Sequence, residues 1–267
     1  MGHARFHGHQ DMYTNSPDNR YGSLAAEIYD IDKPFGKLPD TAFYRDALKG
    51  LDGPILEPAC GSGRTLVPLA EAGHEMWGFD TSAEMLAQAE PRCAKAGVRA
   101  RLSQQGWSDF TYDQRFSAII LPVASFTLIE DADTAFGVLA RFYAALSPGG
   151  LLLIDLTPLS TLAPVEDDRR SWVAENGDLL TLHAVRTGTD WTKQAFRLSV
   201  RYERWRENRL VAAELEPMVM RQWGIEEFRM ALERAGFTDA RCHGDYKRGE
   251  PPEAGTHMVT WEARKPA

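Results

Sequence analysis

The sequence predicts a doubly wound α/β sheet, Rossmann-like, with helices on both faces and an antiparallel β-sheet inserted late in the chain. Three observations carry this. Short, near-continuous apolar runs alternate with helical patterns through the first 158 residues, as buried parallel strands covered on both faces do. A glycine-rich turn, Gly61-Ser62-Gly63, follows the first of these runs and opens a helix. From about Ser171 the period becomes two, with Phe196, Leu198, Val200 and Tyr202 alternating with Arg197, Ser199, Arg201 and Glu203.

Residues 1–20 read as a polar tail, in which His3, His7 and His9 are taken as tail residues and not as a metal site. Residues 21–50 read as a helical lid segment, with helices over 22–30 and 40–50 and Asp40 as N-cap of the second. Pro54 to Glu57 is a buried strand and Thr65 to Ala72 a helix stopped by Gly73. His74 to Phe79 is a second strand that ends at Asp80. Thr81 or Ser82 then caps a helix running to about Lys95, and a third strand lies near Val98 to Ser103. Phe116 to Leu121 is the fourth strand, and a long helix covers Ala132 to Leu146. The stop Ser147-Pro148-Gly149-Gly150 leads into the run Leu151 to Leu156. Residues 161–219 are assigned to the insertion, with about four strands over 171–219. Asn176-Gly177 gives one hairpin and Glu207-Asn208 a second reversal. The α/β pattern then returns with a helix over Ile225 to Ala235 and strands near 240–243 and 258–263, so that 51–160 and 220–267 form one Rossmann-like unit.

The chain has 267 residues, 43% of them hydrophobic, and a net charge of −8. That length supports a sizeable core, and the acidic balance argues against nucleic acid as partner. The three cysteines, Cys60, Cys93 and Cys242, have no zinc or disulfide spacing, so no metal and a reduced, cytoplasmic setting are expected. Neither a signal-peptide pattern nor an apolar run of membrane-spanning length is present, and no membrane partner is expected.

The glycine loop defines the ligand. Leu66 stands where a dinucleotide fingerprint needs its third glycine. Glu57, at the end of the first strand, would repel a pyrophosphate and suit a cationic ligand. Asp80 can take two ribose hydroxyls in charge-assisted hydrogen bonds. A ligand with a ribose, a positive group and no phosphate meets all three conditions, and S-adenosylmethionine is one.

Glu57-Pro58-Ala59-Cys60-Gly61-Ser62-Gly63-Arg64 resembles the first motif of the class I S-adenosylmethionine-dependent methyltransferases. Gly78 to Leu86 resembles their second, and Leu146-Ser147-Pro148-Gly149-Gly150 the turn before their fifth strand. The resemblance covers roughly residues 22–158 and 224–264. It implies a seven-stranded sheet whose last strand is antiparallel. It also implies site roles: Glu57 at the methionine end of the cofactor, Ala59, Gly61 and Gly63 for close backbone approach, Asp80 and Thr81 at the ribose, Met85 and Trp107 against the adenine, and Leu121 to Ser125 facing the reacting methyl. Gly106 stands where many relatives carry an acid reaching the adenine amine.

The expected reaction is in-line displacement at the sulfonium methyl by nitrogen or oxygen of a small-molecule acceptor, in which alignment supplies much of the rate. Tyr29, in the lid, His183 and Asp245 are the candidate catalytic residues, with His257 as a further possible base. The insertion is expected to shape the acceptor pocket or to pair across a homodimer. Two other functions stay open: a nicotinamide-dependent oxidoreductase, and a non-catalytic S-adenosylmethionine-binding subunit.

Overall fold

The computed structural model describes residues 21–34, 38–163 and 166–267. The polar tail and its three histidines lie outside the described residues.

A seven-stranded sheet forms the body. Its strands are β1 (Ile55–Pro58), β2 (Met76–Asp80), β3 (Ala100–Gln104), β4 (Phe116–Leu121), β5 (Leu146–Leu156), β10 (Thr238–Gly244) and β11 (Val259–Arg264). Their order is β10-β11-β5-β4-β1-β2-β3, and β11 runs antiparallel to both of its neighbours. The inserted sheet is four-stranded: β6 (Asp168–Val173), β7 (Leu179–Asp190), β8 (Ala195–Arg206) and β9 (Arg209–Arg221), each antiparallel to the next. The helices are α1 (Ser23–Asp32), α2 (Pro39–Ala47), α3 (Leu66–Glu71), α4 (Ala83–Ala96), α5 (Ala132–Ala145) and α6 (Ile225–Arg234). No helix among the described residues is long and apolar enough to cross a membrane.

The apolar runs are explained by burial on both faces. Leu56, Ile119, Leu121, Leu152 and Ile154 point into one core with Val138, Phe142 and Phe228 of the covering helices. Their strand neighbours Ile55, Ala118, Ile120, Leu151 and Leu153 point into the other, against Phe43, Tyr44, Leu66 and Leu69. The central strands thus bury side chains on both faces, leaving no polar face to alternate.

The inserted sheet alternates because it has one covered face. Leu180, Leu182, Val200, Tyr202 and Met218 pack on Leu24, Ala25 and Ile28 of α1. The two-residue turn Glu207-Asn208 has φ of 47° and 59°, the doubly left-handed form that matches strand twist.

Two local expectations fail. Asp40 does not cap α2: Leu38 stands at the N-cap position and makes no side-chain hydrogen bond, Pro39 opens the first turn, and Asp40 is buried one position further on. The Ser147-Pro148-Gly149-Gly150 stop is no separate turn. It lies inside β5, where Gly149 at φ +74° bends the strand and shifts its register with β4. Residues 161–167 precede the inserted sheet, which runs from 168 to 221.

Candidate active site

The order of the large sheet reverses between β1 and β4, which opens a crevice at the carboxyl ends of these strands. The glycine loop forms one lip. Ala59, Gly61 and Gly63 have φ of 51°, 53° and 82°, a repeated left-handed turn. A Cβ on Gly63 would lie 3.2 Å from Val67 Cγ2 in addition to its unfavourable φ. Gly78 is required for a different reason. A Cβ there would lie 2.7 Å from Leu66 Cδ1 and 2.8 Å from Cys60 Sγ, so only glycine lets α3 sit against β2.

That close packing places Asp80. Its Oδ2 accepts the Gly61 N–H at 2.8 Å and its Oδ1 the Ser82 N–H at 2.9 Å. Burial pushes its carboxyl upward while these backbone N–H groups hold it down. The result is a carboxylate locked to the loop at a strand tip. Ser82, not Thr81, caps α4 by accepting the Met85 N–H.

A cavity of about 970 Å³ fills the crevice. Of the sequence-predicted residues, Tyr29, Ala59, Gly61, Asp80, Thr81, Met85 and Trp107 border it. Ser125, Leu128, Ile129, Glu130 and Asp131, on the loop after β4, close the other end, and Lys193 and Arg221 of the inserted sheet reach its wall. Trp107 meets Phe79 edge to face at 6.2 Å.

Other predicted residues lie elsewhere. Leu121 is fully buried in the core, and Ser125, four residues later, reaches the wall in its place. Gly63 shapes the loop from behind. Glu57 sits beneath the loop, 3% exposed, with Oε2 lacking a hydrogen-bond partner. Burial drives its carboxyl well above the ordinary value; Arg64 opposes this and the nearby Asp40 and Asp80 add to it. Arg64, itself buried, pairs with Asp40 at 2.5 Å. The hydroxyl of Tyr29 faces the same guanidinium, and burial raises its pKa against that pull. Tyr29 therefore borders the cavity while its hydroxyl is tied into the charge cluster around Arg64.

His183 and Asp245 do not border the cavity. His183, on β7, has its Nε2 3.2 Å from the Asp167 carboxylate and from Arg169 Nε. Asp245 accepts the backbone N–H groups of Met258 and His257, which keep its carboxyl below the usual range and build a loop after β10. His257 is exposed on that loop. The alternation of β7 and the loop position of Asp245 are visible in sequence, but which sheet face and which loop meet the crevice is not.

Several wall residues escaped the sequence reading. Asp109 borders the cavity and its Oδ1 accepts the Gly106 N–H at 3.0 Å, so an acid stands beside the position where Gly106 lacks one. Gln104 ends β3 and Gln105 follows it, and Gln104 Nε2 donates to the Thr81 carbonyl at 2.9 Å. Their position after a strand tip was the one signal available.

The residues fit an S-adenosylmethionine-type ligand. A carboxylate borders the cavity at a strand tip, small residues form the adjoining lip, and beneath it the buried Glu57 Oε2 has no hydrogen-bond partner, a polar atom left for a ligand to satisfy. Comparison with known proteins agrees. Residues 55–150 match the family model described as Methyltransferase domain. YqeM of Bacillus subtilis (strain 168) is 25% identical over 219 residues, 80% of this chain and 84% of that protein. A glycine/sarcosine N-methyltransferase of Halorhodospira halochloris is 40% identical over 103 residues, 38% of either chain, so this chain spans well under half of that relative's length. The fold is shared with the sugar N-methyltransferase of Streptoalloteichus sp ATCC 53650, at a TM-score of 0.75 and 17% identity over the whole of both chains. Strand order, loop, strand-tip carboxylate and the matched model together identify residues 55–150 as a methyltransferase domain of the class I, S-adenosylmethionine-dependent type.

Proposed function

We propose that the protein methylates a nitrogen of a small-molecule amine. The carrying observation is the composition of the cavity wall: among the described residues no histidine borders it. Its two tyrosines, Tyr21 and Tyr29, are both pushed upward by burial. Of its four carboxylates, Asp80, Asp109 and Asp131 are each taken up by backbone N–H groups, and Glu130 remains. An alcohol or phenol needs a positioned base matched to it, whereas a neutral amine attacks with its own lone pair. The N-methyltransferases among the relatives support the same reading.

In this reading Asp80 and Thr81 hold the ribose, Met85 and Trp107 flank the adenine, and Ala59 and Gly61 let the backbone approach the methionine portion, with Glu57 beneath them. The cofactor supplies a methyl already activated by a positive sulfur. The protein aligns the acceptor from the Ser125–Asp131 side, and Tyr21 and Tyr29 exclude water above it. The amine loses a proton to solvent after transfer. The proposal extends to a homodimer through the inserted sheet, whose edge strand β9 exposes Leu210, Val211 and Leu215; light scattering at the mass of one chain would remove that part.

The test is incubation with methyl-labelled S-adenosylmethionine and a panel of primary and secondary amines, including amino acids and amino sugars, beside a panel of phenols and alcohols. Mass spectrometry should find N-methyl products. Products from the oxygen panel alone would overturn the nitrogen assignment.

A further inference from the structure

The loop between β4 and the acceptor wall has an unusual backbone. Val123 and Ala124 are consecutive non-glycine residues at φ +57° and +58°. A β-branched residue in this region is strained, and such strain persists only where the surroundings enforce it. The enforcing group is on the next strand. Asp155, fully buried near the end of β5, accepts the Val123 N–H with Oδ2 at 2.8 Å. The same oxygen accepts the Tyr246 hydroxyl at 2.8 Å, and Oδ1 accepts the Thr260 hydroxyl at 2.7 Å. The Tyr44 hydroxyl lies beside this carboxylate as well. Asp155 does not border the cavity, but the loop it holds does. Directly after the left-handed pair, Ser125 turns back to the Pro122 carbonyl through its hydroxyl at 3.0 Å, and Thr127 to that of Ala124 at 2.7 Å. Ser125, Leu128 and Ile129 follow on the wall.

We propose that Asp155 is a positioning residue for methyl transfer: through the Val123 N–H it fixes the strained 122–125 turn and so sets where the acceptor sits relative to the methyl. It has no part in holding the cofactor, which binds to the β1 and β2 tips.

The alanine variant Asp155→Ala should lower turnover of the amine panel by about 10- to 100-fold, the cost of a small misplacement of reacting atoms, with S-adenosylmethionine affinity by calorimetry kept within about threefold. Hydrogen exchange should rise over 121–129 and stay unchanged over 55–65; this readout needs no acceptor. Asp155→Asn, whose carbonyl can still take the Val123 N–H, should keep turnover within about fivefold. Thr260→Val, which removes a different bond to the same carboxylate, should lower the melting temperature and leave exchange over 121–129 at the wild-type level. Should Asp155→Ala not fold, replacing Val123 by its α-hydroxy analogue removes the single N–H, keeps the carboxylate in place, and should reproduce the exchange increase. Unchanged exchange over 121–129 in the alanine variant or the ester, or a parallel loss of cofactor affinity, overturns the proposal.

Discussion

Asp80 bears on the site twice. It faces the cavity, and it holds the glycine loop through the Gly61 N–H. Asp80→Ala should therefore weaken S-adenosylmethionine binding by about 1.5–3 kcal/mol, the worth of hydrogen bonds to a charged group, as measured by calorimetry. Unchanged affinity would take the residue out of the site. Arg64 presents the opposite case. The sequence shows it only as the end of a motif, and nothing in spacing reveals that Asp40, 24 residues earlier, is its buried partner. Removing one member of such a pair leaves an uncompensated buried charge. Arg64→Ala should cost about 3–5 kcal/mol in urea unfolding. The same limit on sequence explains the reassignment of Asp40 from helix cap to ion pair. Capping propensity is local, whereas the Asp40–Arg64 contact is set by how α2 packs on α3.

At the scale of elements, α1 is the junction of the molecule. Glu214 of β9 caps its amino end, accepting the N–H groups of Leu24 and Ala25 at 3.0 and 2.9 Å. Arg204 and Arg170 of the inserted sheet pair with Glu27 and Asp32 along its length. On its other side Asp30 accepts the Ser62 hydroxyl of the glycine loop at 2.6 Å and pairs with Arg92 of α4. Removing 171–219 would therefore uncap α1 and loosen the glycine loop with it, so cofactor binding should not survive that deletion. Next to the cap, Glu216 accepts the Gly22 N–H at 3.1 Å and leaves Oε2 unpartnered. Burial raises its carboxyl to about 7, and Glu214 adds to the rise, with Tyr202 and Tyr21 facing it. A raised carboxyl binds its proton more tightly folded than unfolded, so the ionised group disfavours folding. Stability tied to Glu216 should fall as pH rises from about 4.5 to about 7 and stay reduced above that. Glu216→Gln should raise stability by about 1–3 kcal/mol at pH 8 and have little effect below pH 4.5, in denaturant titrations at the two pH values.

The whole molecule shows which parts of a fold its sequence records. Strands covered on both faces announce themselves as apolar runs, and β4 was read to the residue. The period-two pattern gave the inserted sheet, because one face is wet. What spans two elements stayed hidden: α1 against the inserted sheet, Asp155 against the loop after β4, the inserted sheet's Lys193 and Arg221 at the cavity. In the site, glycines and strand-tip acids were legible, since turn geometry and strand ends are local. Whether His183 and Asp245 face the crevice was not legible, because facing is a tertiary property. Packing of α1 between the inserted sheet and the glycine loop also has a thermodynamic consequence. Leu24 and Ile28 share one core with Leu180 and Met218, while Asp30 is bound to the loop after β1. Urea unfolding should therefore be a single transition, coincident by near- and far-ultraviolet circular dichroism. Two separated transitions would show that the inserted sheet melts alone.

The tie between Asp30 and the glycine loop also bears on timing. Tyr29 stands on the cavity wall one residue before the aspartate that fastens this helix to Ser62. A methyl donor that leaves past Tyr29 would have to open this fastening in every cycle. Rapid quenching should reveal a burst of one product per chain ahead of a slower steady state, and Asp30→Ala should speed that steady state while shortening donor residence.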